Sequence, residues 1–151
     1  MHTHRHVVPP LAAKGHLTLD EEELRRWGND LGEASVPPLL ISLTGELGAG
    51  KTTLAQAICA GYGVVESATS PTYALVHRYE APKSPVYHID LYRLDDESQL
   101  TNLGWDDILA ERALVIVEWP ERAGDRMPAD HLHIDIEYLP EDPGRRVLLA
   151  G

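Results

Sequence analysis

Apolar positions along the chain fall into two kinds of run. Leu24, Trp27 and Leu31 recur three or four residues apart with charge between them, the spacing that turns one stripe of a helix toward a core. Ahead of them, Thr18 and Glu21 have the S/T-x-x-E spacing of a capping box, and Gly32 behind them reads as the stop. The runs Leu39-Leu40-Ile41-Ser42-Leu43 and Ala113-Leu114-Val115-Ile116-Val117 are different. Each is continuous and too short for a helix, as a parallel strand covered on both faces would be. The first opens after the Pro37-Pro38 pair, and the second ends on an acid, Glu118.

Residues 51–60 are helix formers throughout, with Gly61 and Gly63 marking the end. Strands are expected over 73–79 and 86–90, separated by the turn-rich stretch 81–85. Residues 96–109 read as helical with a break at Gly104, 132–138 alternate as a half-buried strand does, and 146–149 form a last short strand. Strands interleaved with helices predict an α/β sandwich of three layers, with a mainly parallel central sheet and antiparallel edge strands. No internal repeat or long linker divides residues 1–151, so a single domain is expected, with residues 1–15 as a flexible tail. The histidines at its start, His2, His4 and His6, read as part of that tail and not as a metal site.

Composition then narrows the partners. The formal net charge is −11, which disfavours direct wrapping of a nucleic-acid backbone. No window approaches 18 uncharged apolar residues, and the start lacks a secretory apolar core, so a cytoplasmic protein without a membrane span is expected. The one cysteine, Cys59, lies in an apolar helical context and reads as a buried, inert thiol.

The chemistry concentrates in Gly45-Glu46-Leu47-Gly48-Ala49-Gly50-Lys51-Thr52, which matches G-x-x-x-x-G-K-[ST] at every fixed position. It follows a predicted buried strand and opens a predicted helix, the placement that its mechanism requires and that makes the fold a P-loop NTPase-like one. Glycines let the backbone approach phosphate oxygens, where a Cβ would obstruct. Loop and helix N-terminal amides form an anion nest, Lys51 reaches the β/γ oxygens, and the Thr52 hydroxyl can ligate Mg²⁺.

Such a site also needs an acid at the end of a neighbouring strand. Glu118 and Asp90 both qualify, because the carboxyl ends of parallel strands lie at the edge that carries the phosphate loop. The natural division gives Glu118 the metal shell and Asp90 the orientation or deprotonation of water, although spacing alone allows the reverse. Ser67-Ala68-Thr69-Ser70-Pro71-Thr72-Tyr73 is either an ordinary Ser/Thr turn or a switch segment offering Thr72 or Ser70 to the metal. Arg93 either neutralises phosphate charge or pairs with Asp90. Trp119 reads first as a core aromatic and second as a wall of the site or a partner surface.

Taken in order, Gly45-Glu46-Leu47-Gly48-Ala49-Gly50-Lys51-Thr52-Thr53, Ser70-Pro71-Thr72-Tyr73, His88-Ile89-Asp90-Leu91-Tyr92-Arg93 and Glu118-Trp119-Pro120-Glu121 resemble the TsaE family, also called YjeE. The resemblance spans about residues 16–149. It implies a small P-loop ATPase serving threonylcarbamoyladenosine formation next to the tRNA anticodon, together with TsaB and TsaD. Carried over, it implies ATP and Mg²⁺ binding by the loop with Lys51, Thr52 and Thr53, Glu118 in the metal shell, Asp90 in catalysis and Thr72 as a switch residue. Tyr73 stands where many members have Phe, and Glu46 where Asp is common. The family reading fits the acidic charge, since an ATPase that gates a partner need not touch the tRNA itself.

Two rivals of other classes remain at the level of sequence. A small-molecule kinase would use Arg122 and Arg126 as a phosphate clamp, and a non-hydrolysing adaptor would use ATP only to order a partner surface. No N-K-x-D stretch reads guanine, which argues against a GTPase.

Overall fold

The computed structural model describes residues 16–46, 48–65 and 75–150, so the tail at 1–15, Leu47 and the segment containing Ser70 and Thr72 lie outside the described residues. In chain order the elements are β1 (His16–Asp20), α1 (Glu21–Ala34), β2 (Leu39–Thr44), α2 (Lys51–Tyr62), β3 (Val76–Glu80) and β4 (Pro85–Asp90). Then follow α3 (Gln99–Leu103), α4 (Trp105–Ala110), β5 (Leu114–Glu118), a 3₁₀ segment (Pro120–Arg126), β6 (Leu132–Tyr138) and β7 (Arg145–Ala150). The strands form one seven-stranded sheet in the order β1-β7-β6-β2-β5-β4-β3. Its centre is parallel, through the β6–β2, β2–β5 and β5–β4 pairs, and its β1–β7, β7–β6 and β4–β3 pairs are antiparallel. The α/β sandwich expected from patterning is the observed architecture.

Strand alternation divides the core in two. Ile41, Leu43, Leu114, Ile116, Ile134 and Ile136 face α1 and α2, where they meet Leu24, Trp27, Leu31, Leu54 and Ile58. Tyr87, Ile89, Val115 and Val117 face the other way, against Leu100, Trp105 and Ile108. The continuous apolar runs are thus covered on both faces, as strands of this composition require.

Helix ends differ from expectation for reasons of long-range packing. Thr18 is spent inside β1, opposite Val147 of β7, and the capping box shifts by two residues: Asp20 accepts from Glu23 N–H at 2.8 Å, and the Glu23 carboxylate accepts from Asp20 N–H at 2.9 Å. Gly32 does not stop α1. It lies inside the helix because a Cβ there would sit 2.0 Å from the Ile58 carbonyl oxygen of α2. Gly61 likewise belongs to α2, and Gly63, in the left-handed conformation, is the cap that ends it. Of the strand expected over 73–79, residues 73 and 74 lie outside the described residues; the third strand is described from Val76 and runs on to Glu80.

Candidate nucleotide site

Register decides what the sheet presents at its carboxyl edge. In β5, Glu118 is paired with Leu43 of β2 on one side and with Asp90 of β4 on the other. Two acids far apart in sequence thereby stand on adjacent strands beside the point where β2 ends and the glycine-rich loop begins. The loop turns through an Ala49 N–H bond to the Glu46 carbonyl at 3.0 Å and enters α2 at Gly50, whose φ of 113° is left-handed and open to glycine. The N-cap residue Gly50 makes no side-chain cap bond, which leaves the first turn of α2 suited to donate to an anion.

The last two strands brace this loop. Arg146 Nε of β7 donates to the Ala49 carbonyl at 3.0 Å, and its guanidinium lies 4.4 Å from the ring centre of Tyr138 of β6. The Tyr138 hydroxyl stands so close to Gly48 that a Cβ there would meet it at 2.7 Å. Below the loop, Ser42 Oγ lies 2.7 Å from His133 Nδ1, and Thr44 Oγ1 donates to Asp135 Oδ1 at 2.6 Å, which ties the outgoing end of β2 to β6. Burial pushes the His133 imidazole below its ordinary pKa, with His131 adding to the effect, while a hydrogen bond with Asp135 pushes Glu137 up. The hydrogen bonds that tie the loop and β2 to the last two strands carry no local sequence signal, because each joins residues about ninety or more apart.

Lys51 is only 5 % exposed. Its ammonium donates to the carbonyls of Gly45 and Glu46, the latter at 2.9 Å, and lies 4.4 Å from the ring centre of Trp119. Trp119 holds a φ of 61°, uncommon for a bulky residue, and its ring is 5.1 Å from that of Tyr92. Both sequence readings of Trp119 hold: it packs, partly buried, against the core cluster of Ile89 and Val117, and it lines the cleft. A cleft of about 250 Å³ is lined by Gly48, Gly50, Lys51, Thr52, Thr53, Asp90 and Glu118, with Tyr92 and Trp119 added. Gly45 and Glu46 line the adjoining cavity behind Trp119, and Ala49 is buried within the loop.

Glu118 is 3 % exposed and takes a hydrogen bond from His88 of β4, Nε2 to Oε2 at 2.6 Å. Asp90 Oδ1 accepts the Tyr92 N–H at 3.0 Å. Arg93 does not pair with Asp90; it lines a separate cavity with Leu75, Gln99, Asn102 and Leu103. The candidate kinase clamp is committed elsewhere: Arg122 donates to the Leu94 carbonyl at 3.2 Å, and Arg126 to Thr101 and Asp106.

The donor set of the cleft, a Thr52 hydroxyl with the Glu118 and Asp90 carboxylates, is hard oxygen chemistry that suits Mg²⁺. Among the described residues no three His, Cys, Asp or Glu side chains gather as a complete metal cage.

The family model described as Threonylcarbamoyl adenosine biosynthesis protein TsaE matches residues 18–147. The chain belongs to the TsaE family. Among curated relatives named tRNA threonylcarbamoyladenosine biosynthesis protein TsaE, that of Mycobacterium bovis is 38 % identical over 139 residues, covering 85 % of this chain and 82 % of the relative. The Nostoc TsaE is 35 % identical over 122 residues, with 79 % and 75 % covered, and the Bacillus subtilis TsaE 31 % over 125, with 83 % and 78 %. The crystal structure of Bacillus subtilis YdiB superposes with a TM-score of 0.73, covering 97 % of this chain and 88 % of that one, at 24 % identity. That likeness is one of fold. The matched span contains the residues that line the cleft, from Gly48 to Trp119.

Proposed function

We propose that the chain is a Mg²⁺-dependent ATPase of the cytoplasm, required for threonylcarbamoyladenosine modification of tRNA next to the anticodon. It acts with TsaB and TsaD and meets the tRNA only through them. The observation that carries this reading is the pairing of Asp90 with Glu118 beside the uncapped start of α2, in one cleft with Lys51 and Thr52. Loop amides and Lys51 hold the β- and γ-phosphates of ATP, with Thr52, Thr53 and the residues from Gly45 to Gly50 forming the rest of the cradle. Bound Mg²⁺, held by Thr52 and Glu118, supplies charge neutralisation at the transferring phosphoryl group. Asp90 orients the attacking water, and Thr72 serves as the switch residue that senses the γ-phosphate. The net charge of −11 supports contact with a partner protein in place of RNA.

Free phosphate release measured on the isolated chain should be slow, and it should rise when TsaB, TsaD and tRNA are added. Asp90→Ala should lower that turnover by about 10²- to 10⁴-fold, the range for loss of a general base, with ATP still bound. Fast turnover without partners, or transfer of the γ-phosphate to a metabolite, would overturn the proposal. The kinase alternative is weakened by the structural commitments of Arg122 and Arg126. Modification that survives in an Asp90→Ala or Glu118→Ala chain devoid of hydrolysis would favour the adaptor.

A further inference from the structure

We infer that His88 is a positioning residue for the metal-side carboxylate: its Nε2–H fixes one oxygen of Glu118 and leaves the other to face the cleft beside Thr52. This rests on the Mg²⁺-ATP reading above and deepens it. The placement follows from strand geometry. His88 and Asp90 are two apart on β4 and therefore share a face, and the register sets His88 opposite Ile116 and Asp90 opposite Glu118. His88 is thus one diagonal step from Glu118, within reach for two long side chains. On its outer side His88 is paired with His77 of β3, and the two rings lie 6.1 Å apart, which walls the imidazole in.

The contact is short and dry. Nε2 to Oε2 is 2.6 Å, with side-chain exposures of 13 % for His88 and 4 % for Glu118. A buried carboxylate needs such a donor, and the nearby cation does not supply it: the Lys51 ammonium is given to the Gly45 and Glu46 carbonyls and to the Trp119 ring. Glutamate has three side-chain torsions, so a carboxylate held only by its backbone would spread over several rotamers and lose order on binding a metal. One anchored oxygen removes that freedom and settles the carboxylate plane. Hydrogen bonds to metal-ligating carboxylates act in this way, and their loss typically costs about 10- to 100-fold in metal affinity.

The test is calorimetric binding of a non-hydrolysable β,γ-imido ATP to the full chain, over a range of Mg²⁺ concentrations and in EDTA. His88→Phe keeps a ring but loses the donor, and His88→Asn is too short to reach Glu118. Each should raise the Mg²⁺ concentration needed for half-maximal tightening by about 10- to 100-fold, with binding in EDTA unchanged. His88→Gln, whose amide reaches the position of Nε2, should stay within about threefold of the parent chain. A parent chain whose nucleotide binding ignores Mg²⁺ would overturn the metal reading and this inference together. A normal Mg²⁺ requirement in either donor-less variant, beside an Mg²⁺-dependent parent, would overturn the inference alone. Equal weakening with and without Mg²⁺ would also overturn it, by making His88 a general support of the cleft. Should His88→Phe not fold, His88→Asn and His88→Gln still decide the matter between them.

Discussion

The two ends of helix α2 use the same residue type for opposite purposes. At the start, Gly50 is needed for its backbone, turned to a φ of 113° so that the loop feeds the helix and its first amides remain uncapped. At the far end, Gly61 is needed for what it lacks, because the Asn29 carbonyl oxygen lies 2.0 Å from where its Cβ would be. Gly32 answers it from α1 with the same 2.0 Å approach to the Ile58 carbonyl. One end of the helix is therefore an open surface of unspent donors, and the other is a seam where two backbones touch. The difference teaches that the seam holds α2 against α1, while the donors open to a ligand are confined to its first turn.

The largest expected effect lies on the seam. In Gly32→Ala the added methyl meets a backbone oxygen that cannot swing aside, so the helices must separate, at a cost of about 3 kcal/mol or more. Urea unfolding should show a lower midpoint, and an unchanged one would break the distinction between the ends. Next comes Lys51→Ala, which on the proposed ATP reading removes charged hydrogen bonds to phosphate and should weaken ATP binding by about 10- to 100-fold. The urea midpoint should move far less than in Gly32→Ala; a fall as large would mean that the two ends are energetically one. Smallest is the expected reactivity of Cys59 in the core beneath the seam, where burial pushes the thiol up to about 12. Maleimide at pH 8 should leave it unmodified in the native chain and label it in urea. Rapid native labelling would show that the seam opens.

What was legible in the sequence follows the same division. The phosphate loop announced itself because its residues are contiguous, and the two buried strands because their apolar runs are continuous. That Asp90 and Glu118 stand at one edge is readable from strand ends alone, and the register gives the reason: parallel neighbours end together. Reading Thr18 and Glu21 as the capping box was wrong because β7 returns from the other end of the chain and pairs with β1, leaving Asp20 and Glu23 as the box. Gly32 looked like a terminator for a similar reason, since its true neighbour, Ile58, is 26 residues away. His88 was in plain view within His88-Ile89-Asp90, and its two-residue spacing from Asp90 was the available signal. Its bond to Glu118 depends on a strand pairing that no local pattern contains.

The braces on the phosphate loop have a consequence for biogenesis. Gly48 lies against Tyr138 and the Ala49 carbonyl is held by Arg146, residues translated ninety or more codons later. A ribosome that has made the loop, its helix and both acids has still not made the props that shape it. On the proposed ATP reading, nucleotide capture should therefore begin only when synthesis has passed the β6–β7 hairpin, which makes ligand binding a report that this hairpin has docked on the loop.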